Sequence, residues 1–320
     1  MSNSGLETVY LKKQGKSSLS QLIHSIYKFK FAYILVLPGL LLLLVFTYFP
    51  MYGILLAFKS YNVSKGIFGS PFVGLDHFIT IMGNSDFWYA FSNTIIISLG
   101  RIIFCFPVPI IFAILFNEMR EGIFRKSLQV VYTFPHFLSW VVMSGIVVNM
   151  LSTQDGVVNN ILAAMGHERV MFLANPHLFK PMIYILSNLK ETGWNCIIYM
   201  AAIAGINPEL YEAAMTDGAN RWHRIRHITW PGIQSMVIIC LILAMGSMMN
   251  AGFDQIFNLQ NDVIQHASDI IDTYIYRVTF KLNSDFGFST AVGLFKAIIN
   301  IGLMLAANKV AKRVSGTSVI

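Results

Sequence analysis

Long uncharged stretches dominate this chain. Three of them run for 27 or 28 residues without Asp, Glu, Lys or Arg, and they lie between Lys30 and Lys59, between Lys126 and Asp155, and between Arg226 and Asp254. A helix needs about 20 such residues, at about 1.5 Å each, to cross a bilayer. Each stretch is therefore long enough to form a transmembrane helix.

Three further apolar stretches contain isolated charges. They are residues 87–117 with Arg101, residues 181–208 with Lys190 and Glu191, and residues 286–308 with Lys296. We interpret these as spans as well, so the sequence predicts an all-α polytopic membrane protein with six transmembrane helices. The composition agrees, because 12% of the residues are charged against roughly a quarter in soluble domains. This composition argues against a soluble enzyme.

The basic residues predict the orientation of these spans. Fourteen Lys and Arg residues fall on one side of the six spans and six on the other. Basic residues are enriched on the cytoplasmic side of membrane proteins. With an even number of spans, both termini are predicted to be cytoplasmic. The net charge of +7 then reflects topology, and no nucleic-acid partner is expected.

The predicted organisation follows from these spans. It comprises a cytoplasmic tail at 1–30, a first transmembrane helix with an outer segment at 31–87, a transmembrane domain at 88–310 and a cytoplasmic tail at 311–320. We expect the third span at 128–151 and the fifth from Pro231 to about Phe253, followed by an outer loop to Asp285. Prolines within the second and third spans predict kinks, at Pro107, Pro109 and Pro135.

The inner connection at 207–231 has strong local signals. Asn207-Pro208-Glu209 is typical of a helix start, with an N-cap, a proline at the first helical position and an acid near the positive end of the dipole. Asp217-Gly218 predicts the end of that helix, and a basic segment from Arg221 to His227 follows. We expect a helix, a glycine turn and a second helix outside the membrane, an arrangement suited to docking on another protein.

The same connection carries a family pattern. Glu212-Ala213-Ala214, Asp217-Gly218-Ala219, Ile228 and Trp230-Pro231 resemble the cytoplasmic "EAA" loop of binding-protein-dependent ABC importer permeases. Trp230 departs from the pattern, since the family usually has leucine there. The resemblance implies a coupling helix between the fourth and fifth spans, with the ATPase-contacting residues Glu212, Ala213, Ala214, Asp217, Gly218, Ala219 and Arg221.

Other segments narrow the resemblance. Pro50-Met51-Tyr52-Gly53, the stretch 69–75 and Pro135-His136-Phe137-Leu138-Ser139-Trp140 resemble the carbohydrate branch, and within it the permeases for pectin- or alginate-derived oligosaccharides. The resemblance implies import by alternating access in a bacterial cytoplasmic (inner) membrane. It further implies four kinds of partner: the bilayer, a second, homologous permease subunit in a heterodimer, two ATPase subunits, and an extracytoplasmic solute-binding protein that the outer loop at 254–285 would reach.

No catalytic residue, cofactor or metal is expected in this chain, and ATP and Mg are expected on the ATPase subunits. Gly15-Lys16-Ser17 imitates the end of a phosphate-binding loop, but Tyr10 stands where the leading glycine would be. His223 and His227 have the i, i+4 spacing of a zinc helix, but Arg224 occupies the place of the general-base glutamate.

The charges at membrane depth are the candidates for substrate contact, because each costs a few kcal/mol unless it is paired or faces water. Lys190 and Glu191 are about 100° apart on a helix, so we do not expect them to pair with each other. If Glu191 neutralises one cation across helices, two positive charges remain, which favours an anionic sugar. The candidate pathway residues are Arg101, His136, Trp140, Lys190, Glu191, Trp194 and Lys296.

Alternatives remain open from the sequence. The charges at membrane depth could instead lock helices together, contact the partner permease or snorkel to an interface. Aromatic side chains, including Tyr132, Tyr199 and Phe253, could stack on sugar rings or simply pack. At the level of function, the alternatives are an ABC permease for an amino acid, a peptide or phosphate, and an ion-driven secondary carrier. The latter would leave the helix, turn and helix at 207–231 unexplained.

Overall fold

The computed structural model describes residues 27–282 and 285–315. Within these ranges the chain is helical, and the only β feature is an isolated antiparallel bridge between Lys59 and Phe72. The all-α prediction is confirmed. The phosphate-loop-like Gly15-Lys16-Ser17, most of the N-terminal tail and residues 316–320 of the C-terminal tail lie outside the described residues.

The first helical segment, α1, runs over Lys30–Phe58 and includes a π turn at Leu44–Tyr48 and a 3-10 stretch at Phe49–Phe58. The chain up to Leu55 forms a unit of its own. From Lys30 to Leu55 no side chain is buried, and the large apolar ones are exposed. A continuous apolar surface of this length is suited to lipid.

The remaining helices follow in chain order. The first group is α2 (Gly66–Gly69), α3 (Asp76–Gly83), α4 (Ser85–Glu118), α5 (Ile123–Phe137), α6 (Trp140–Leu151) and α7 (Val157–Ala164). The second group is α8 (Pro176–Ala204), α9 (Pro208–Thr216), α10 (Arg221–Gly246), α11 (Phe253–Leu259), α12 (Gln265–Ser268), α13 (Ile271–Tyr276) and α14 (Phe286–Ser315). Short 3-10 helices lie at Phe172–Ala174, Met248–Asn250 and Asp262–Ile264, and a π turn at Arg277–Leu282 extends α13.

Within the described ranges, four helices are long and apolar enough to cross a membrane, namely Lys30–Phe58, Ser85–Glu118, Arg221–Gly246 and Phe286–Lys309. The pair α5 and α6 makes a fifth if it counts as one span. Helix α8 is longer than any single span requires, at 29 residues, although it does not reach the same apolarity. These helices are those of a polytopic membrane protein.

The third span is not the continuous helix predicted over 128–151. Helices α5 and α6 meet at an angle of 101°. Pro135 lies in a 3-10 turn, and Leu138 and Ser139 are extended. Ser139 then caps α6, since its hydroxyl accepts from the Val142 N–H at 3.3 Å. The proline and the new cap explain why this helix breaks rather than merely kinks.

The fifth span also differs from the prediction at both ends. Helix α10 starts at Arg221, before Pro231, and a π turn at Ile225–Thr229 precedes the proline. Such a local widening lets a helix carry a proline. At the other end α10 stops at Gly246. Phe253 starts a new helix, after two residues with positive φ, Ala251 at 37° and Gly252 at 83°.

Helix α8 lies at the centre of the membrane domain. Its N-terminal half packs in one apolar cluster through Ile183 and Leu186, and its C-terminal half packs in another through Cys196, Tyr199 and Ile203. The α4 residues Ile97 and Ile110 belong to these two clusters, respectively. Lys190 and Glu191 therefore lie on α8 between two apolar clusters.

Candidate functional site

The inner connection folds as the sequence predicts. Asn207 caps α9, since its side-chain carbonyl accepts from the Glu209 N–H at 3.1 Å, and Pro208 is the first helical residue. Helix α9 then runs to Thr216, and a short turn leads into α10. The predicted order of helix, turn and helix over 207–231 is confirmed.

Gly218 makes the turn possible. Its φ is +76°, a value that non-glycine residues rarely adopt. The Ala219 N–H donates to the Ala214 carbonyl at 2.9 Å, and the Gly218 N–H donates to the Met215 carbonyl at 3.1 Å. These two bonds satisfy the last carbonyls of α9 in a Schellman arrangement. The turn direction is thus set by one glycine.

Asn220 is a residue that the sequence reasoning missed. It caps the start of α10, accepting from the His223 N–H at 2.9 Å. The signal was present, because Asn is a preferred N-cap and a basic helical segment follows it. The His223 Nδ1 also contacts the Asn220 side chain at 2.9 Å. That contact gives His223 a local structural role.

The outward surface of this connection is free for a partner. Glu212, Ala213, Asp217, Gly218 and Arg221 are exposed, while Ala214 and Ala219 are half-buried. The Glu212 carboxylate makes no hydrogen bond or ion pair with any described residue. An exposed acid without an internal partner is available for an intermolecular contact.

The inward surface of the connection is tied to the rest of the domain. The Tyr211 hydroxyl lies 3.0 Å from Oγ1 of buried Thr229. Arg224 Nη2 lies 3.9 Å from Glu118 Oε2, which joins the start of α10 to the end of α4. The side chains of Tyr211, Arg224 and Glu118, with Asn117 and Arg221, line a cavity of about 330 Å³. Motion of α9 can therefore pass to two membrane helices.

Lys190 and Glu191, which the sequence predicts at membrane depth, do pair, contrary to the prediction. Lys190 Nζ lies 3.6 Å from Glu191 Oε1. Glu191 Oε2 is also 2.7 Å from His136 Nδ1, and Lys190 Nζ donates to the His136 carbonyl at 2.6 Å. The two long side chains turn towards the same neighbour, which overcomes their 100° separation on the helix.

Two tryptophans complete this cluster. The Trp194 ring stacks on His136 with centroids 4.6 Å apart, and Lys190 Nζ lies 5.6 Å from the centre of the Trp140 ring. His136 lies in the 3-10 turn at the break between α5 and α6. Five of the predicted pathway residues are thus brought together at the bend of the third span.

Lys296 lies in a different place and has its own acid. Its Nζ is 2.6 Å from Asp272 Oδ1. Both side chains line a cavity of about 580 Å³ whose wall also contains Asp254 and four aromatic residues, Trp140, Phe253, Tyr276 and Phe280. The sequence predicts Asp272 in an outer loop and gives no sign of this pair, which joins α13 to α14.

Arg101 has no carboxylate within 4.0 Å among the described residues. Its Nη2 donates to Gln255 Oε1 at 2.5 Å, and its buried Nε has no hydrogen-bond partner in the part of the chain that the structure describes. Arg101 lines a cavity of about 590 Å³. The expectation that two positive charges remain once Glu191 neutralises one cation is wrong, because Lys190 pairs with Glu191 and Lys296 pairs with Asp272.

The aromatic candidates separate in the structure. Tyr199 lines the cavity beside Arg101, and Phe253 lines the cavity beside Lys296. Tyr132 instead packs against Phe112, with ring centroids 4.8 Å apart. Phe253 and Tyr199 therefore border space that a ligand could fill, whereas Tyr132 packs within the domain.

The segment predicted as an outer loop at 254–285 is largely helical, as α11 to α13. Asp269 accepts from Arg277 Nη2 at 2.6 Å and from the Thr273 hydroxyl at 2.5 Å. Burial raises the pKa of Tyr274 to about 12, and the nearby Arg277 guanidinium opposes that rise. The segment is packed rather than extended, and its reach to a binding protein stays a prediction.

Comparison with known proteins identifies the family. The model of the family described as "Binding-protein-dependent transport system inner membrane component" matches residues 105–316, which is more than half of the chain. The chain belongs to this family. The match includes the whole inner connection at 207–231.

Similar proteins in Bacillus subtilis (strain 168) extend over nearly the whole permease. Protein LplB is 40% identical and the match covers 89% of each chain. The polygalacturonan/rhamnogalacturonan transport system permease protein YteP is 38% identical over 95% of this chain and 94% of the relative.

A solved structure shares the fold of the permease. It is a chain of a bacterial ABC transporter involved in the import of the acidic polysaccharide alginate, at 36% identity and a TM-score of 0.85, covering 92% of this chain and 99% of that one. A second structure contains the alginate transporter in complex with an alginate pentasaccharide-bound periplasmic protein, at a TM-score of 0.86.

Proposed function

We propose that this protein is the permease subunit of an ATP-driven importer that moves an acidic oligosaccharide into the cytoplasm by alternating access. The observation that carries the proposal is the 36% identity with the alginate importer chain over 92% of this chain. The similarity to YteP, whose name gives polygalacturonan and rhamnogalacturonan, supports the same class. Alginate, polygalacturonan and rhamnogalacturonan all contain acidic sugars.

The proposal includes six spans with both termini in the cytoplasm. Its support is the helix set: α1, α4, the bent pair α5 and α6, α8, α10 and α14. The 29 residues of α8 would extend to roughly 43 Å, which suffices for a bilayer despite its charges. The fourteen basic residues on one side and six on the other favour this orientation.

The partners are part of the proposal. A second, homologous permease subunit would complete the pathway, an extracytoplasmic binding protein would deliver the sugar, and two ATPase subunits would bind ATP and Mg. The chain itself would catalyse no reaction. The exposed surface of Glu212, Ala213 and Asp217 is the proposed contact with an ATPase, and the bacterial cytoplasmic membrane is the location.

The charge-bearing residues at membrane depth line or brace the proposed pathway. The cluster of His136, Lys190 and Glu191 braces the bend of the third span, with Trp140 and Trp194 against it. Arg101 and Lys296 border the two larger cavities. Closure of the ATPases would move α9, and the ties of Tyr211 to Thr229 and of Arg224 to Glu118 would pass that motion to α10 and α4.

A charge reversal on α9 tests the coupling. The variant Glu212→Lys in the reconstituted importer should abolish both sugar uptake and the stimulation of ATP hydrolysis by the binding protein. The matched control is Glu168→Lys, which reverses an equally exposed charge outside the connection. Undiminished coupled transport by Glu212→Lys would remove the coupling-helix assignment. Gly218→Pro, which breaks the turn, should give the same loss as Glu212→Lys.

Two alternatives make different predictions in the same preparation. An ABC permease for an amino acid, a peptide or phosphate would keep the effect of Glu212→Lys but would not transport an oligogalacturonate. An ion-driven carrier would transport without ATP and would be insensitive to Glu212→Lys. Helix α9 is mostly exposed and is tied to the rest of the domain through Tyr211. This arrangement favours the ATP-driven importer, because an ion-driven carrier has no ATPase subunit for α9 to contact.

A further inference from the structure

The two larger cavities share wall residues but differ in charge. Asn250 and Gly252 line both of them. The cavity that contains Arg101, called here the arginine cavity, has no Asp or Glu in its wall. The cavity that contains Lys296, called here the aromatic cavity, has Asp254 and Asp272 as well. One wall thus carries one formal positive charge and the other a net negative charge.

We propose that the two cavities divide an acidic sugar between them. Arg101 selects the carboxylate, and the aromatic cavity binds the face of a sugar ring, so that Lys296 does not discriminate by charge. This inference rests on the proposed function and names the residue that sets charge specificity within it.

The arginine cavity has the features of an anion site. The Arg101 guanidinium is held by Gln255, and Gln255 is itself fixed, because its Oε1 accepts from Ser187 Oγ at 2.9 Å and its Nε2 donates to the Ile183 carbonyl at 2.8 Å. A cation at membrane depth with no carboxylate in contact is costly, and the charge of Glu191 reaches Arg101 only from beyond 4.0 Å. The buried Nε of Arg101 has no hydrogen-bond partner among the described residues. A ligand carboxylate would supply the missing acceptor and charge.

The position of the Arg101 guanidinium depends on the glycine that lies against it. A β-carbon on Gly252 would overlap the Arg101 guanidinium, so the glycine gives the guanidinium its place. The other polar wall residues are neutral acceptors or donors for sugar hydroxyls, namely Ser98, Asn195, Tyr199, Ser247 and Asn250. The cavity therefore combines one fixed cation with neutral hydrogen-bonding groups.

The aromatic cavity has the opposite character. Lys296 is neutralised by Asp272, whose Oδ1 lies 2.6 Å from the Lys296 Nζ. The exposed Asp254 carboxylate adds a further negative charge. An anion entering this space would meet an excess of carboxylate. The rings of Trp140, Phe253, Tyr276 and Phe280 instead offer flat apolar surfaces for the C–H face of a sugar ring, and carboxylates accept from its hydroxyls.

The test measures binding of two sugars of equal length to the complete importer complex in nanodiscs, without binding protein. The probes are trigalacturonate and its methyl ester, which lacks the charges. Arg101→Gln should lower the preference for the acidic sugar roughly tenfold, the value of one charge-assisted contact. The matched variant Lys296→Gln, combined with Asp272→Asn, removes the other cation with its acid and should weaken both sugars equally.

A second variant protects the test against misfolding of Arg101→Gln. Gln255→Glu keeps Arg101 but gives it an internal carboxylate, and it should also lower the preference for the acidic sugar. An equal loss of both sugars in the Arg101 and Gln255 variants, a selective loss in the Lys296 variant, or no binding by the wild type would overturn the inference. Stimulation of ATP hydrolysis by the binding protein, measured in the same discs, reports separately on the proposed function.

Discussion

His136 Nδ1 lies 2.7 Å from Glu191 Oε2, and this contact joins the break in the third span to the middle of α8. Lys190 reaches the His136 carbonyl and Glu191 at once. A helix that breaks by 101° leaves backbone groups without helical partners. The Lys190 ammonium is the partner of one such group, the His136 carbonyl. The cluster of Lys190, Glu191 and His136 thereby fixes the orientation of the turn.

The first prediction concerns Glu191. Glu191→Gln should lower the stability of the solubilised permease by about 1–3 kcal/mol, because it leaves the buried Lys190 side chain without an acidic partner. The measurement is thermal unfolding in detergent, compared with Glu168→Gln at an exposed position away from the cluster. Equal thermal unfolding midpoints for Glu191→Gln and Glu168→Gln would show that the cluster does not hold the bend.

Gly218 carries the second prediction. Gly218→Ala should cost roughly 1–2 kcal/mol at its positive φ, which shifts the turn after α9 and weakens the coupling of ATP hydrolysis to uptake. The control is Gly145→Ala, since Gly145 lies within α6 and a β-carbon there meets nothing. The ratio of sugar transported to ATP hydrolysed should fall in the first variant and hold in the second.

Asn207 gives a third prediction, on local stability. Asn207→Ala removes the cap of α9 and should cost about 1 kcal/mol, so amide exchange across Pro208–Thr216 should accelerate. Asn149→Ala is the control, because its side chain bonds only to the Gly145 carbonyl within its own helix. Exchange confined to α9 in the first variant is the expected pattern, and unchanged protection there would count against the cap.

The pair of Lys296 and Asp272 gives a fourth prediction. Each single change, Lys296→Met or Asp272→Asn, should destabilise the permease, because it leaves the partner's charge half-buried and alone. The double variant should recover part of that loss, with an interaction energy of about 1 kcal/mol in a double-mutant cycle. Additive losses would mean that the two charges are not coupled.

Local signals in the sequence predicted the inner connection well. The cap at Asn207, the proline after it and the glycine turn at Gly218 each depend on residues within a few positions of one another. The physics of a helix end is short-range, so the sequence contains what is needed. The same holds for the length and apolarity of the spans, which a bilayer fixes directly.

Contacts between distant residues were beyond the same reasoning. The helix periodicity argued against a contact between Lys190 and Glu191, yet both side chains turn to His136, 54 and 55 positions away, respectively. Asp272 was assigned to a loop because hydropathy sees only polarity, and its partner Lys296 lies 24 positions on. The size of the break at Leu138 and Ser139 depends on the N-cap that Ser139 provides for α6. A proline in the sequence does not by itself indicate that such a cap is used.

The close approach of Gly252 to Arg101 has a consequence for how this chain can diverge. A side chain at position 252 and a guanidinium at position 101 compete for the same space. Arginine at 101 is therefore expected only with glycine at 252 in an alignment of relatives, whereas glycine at 252, which its φ of 83° also favours, can remain where residue 101 is shorter. Such covariation would trace the gain and loss of acidic cargo across the lineage.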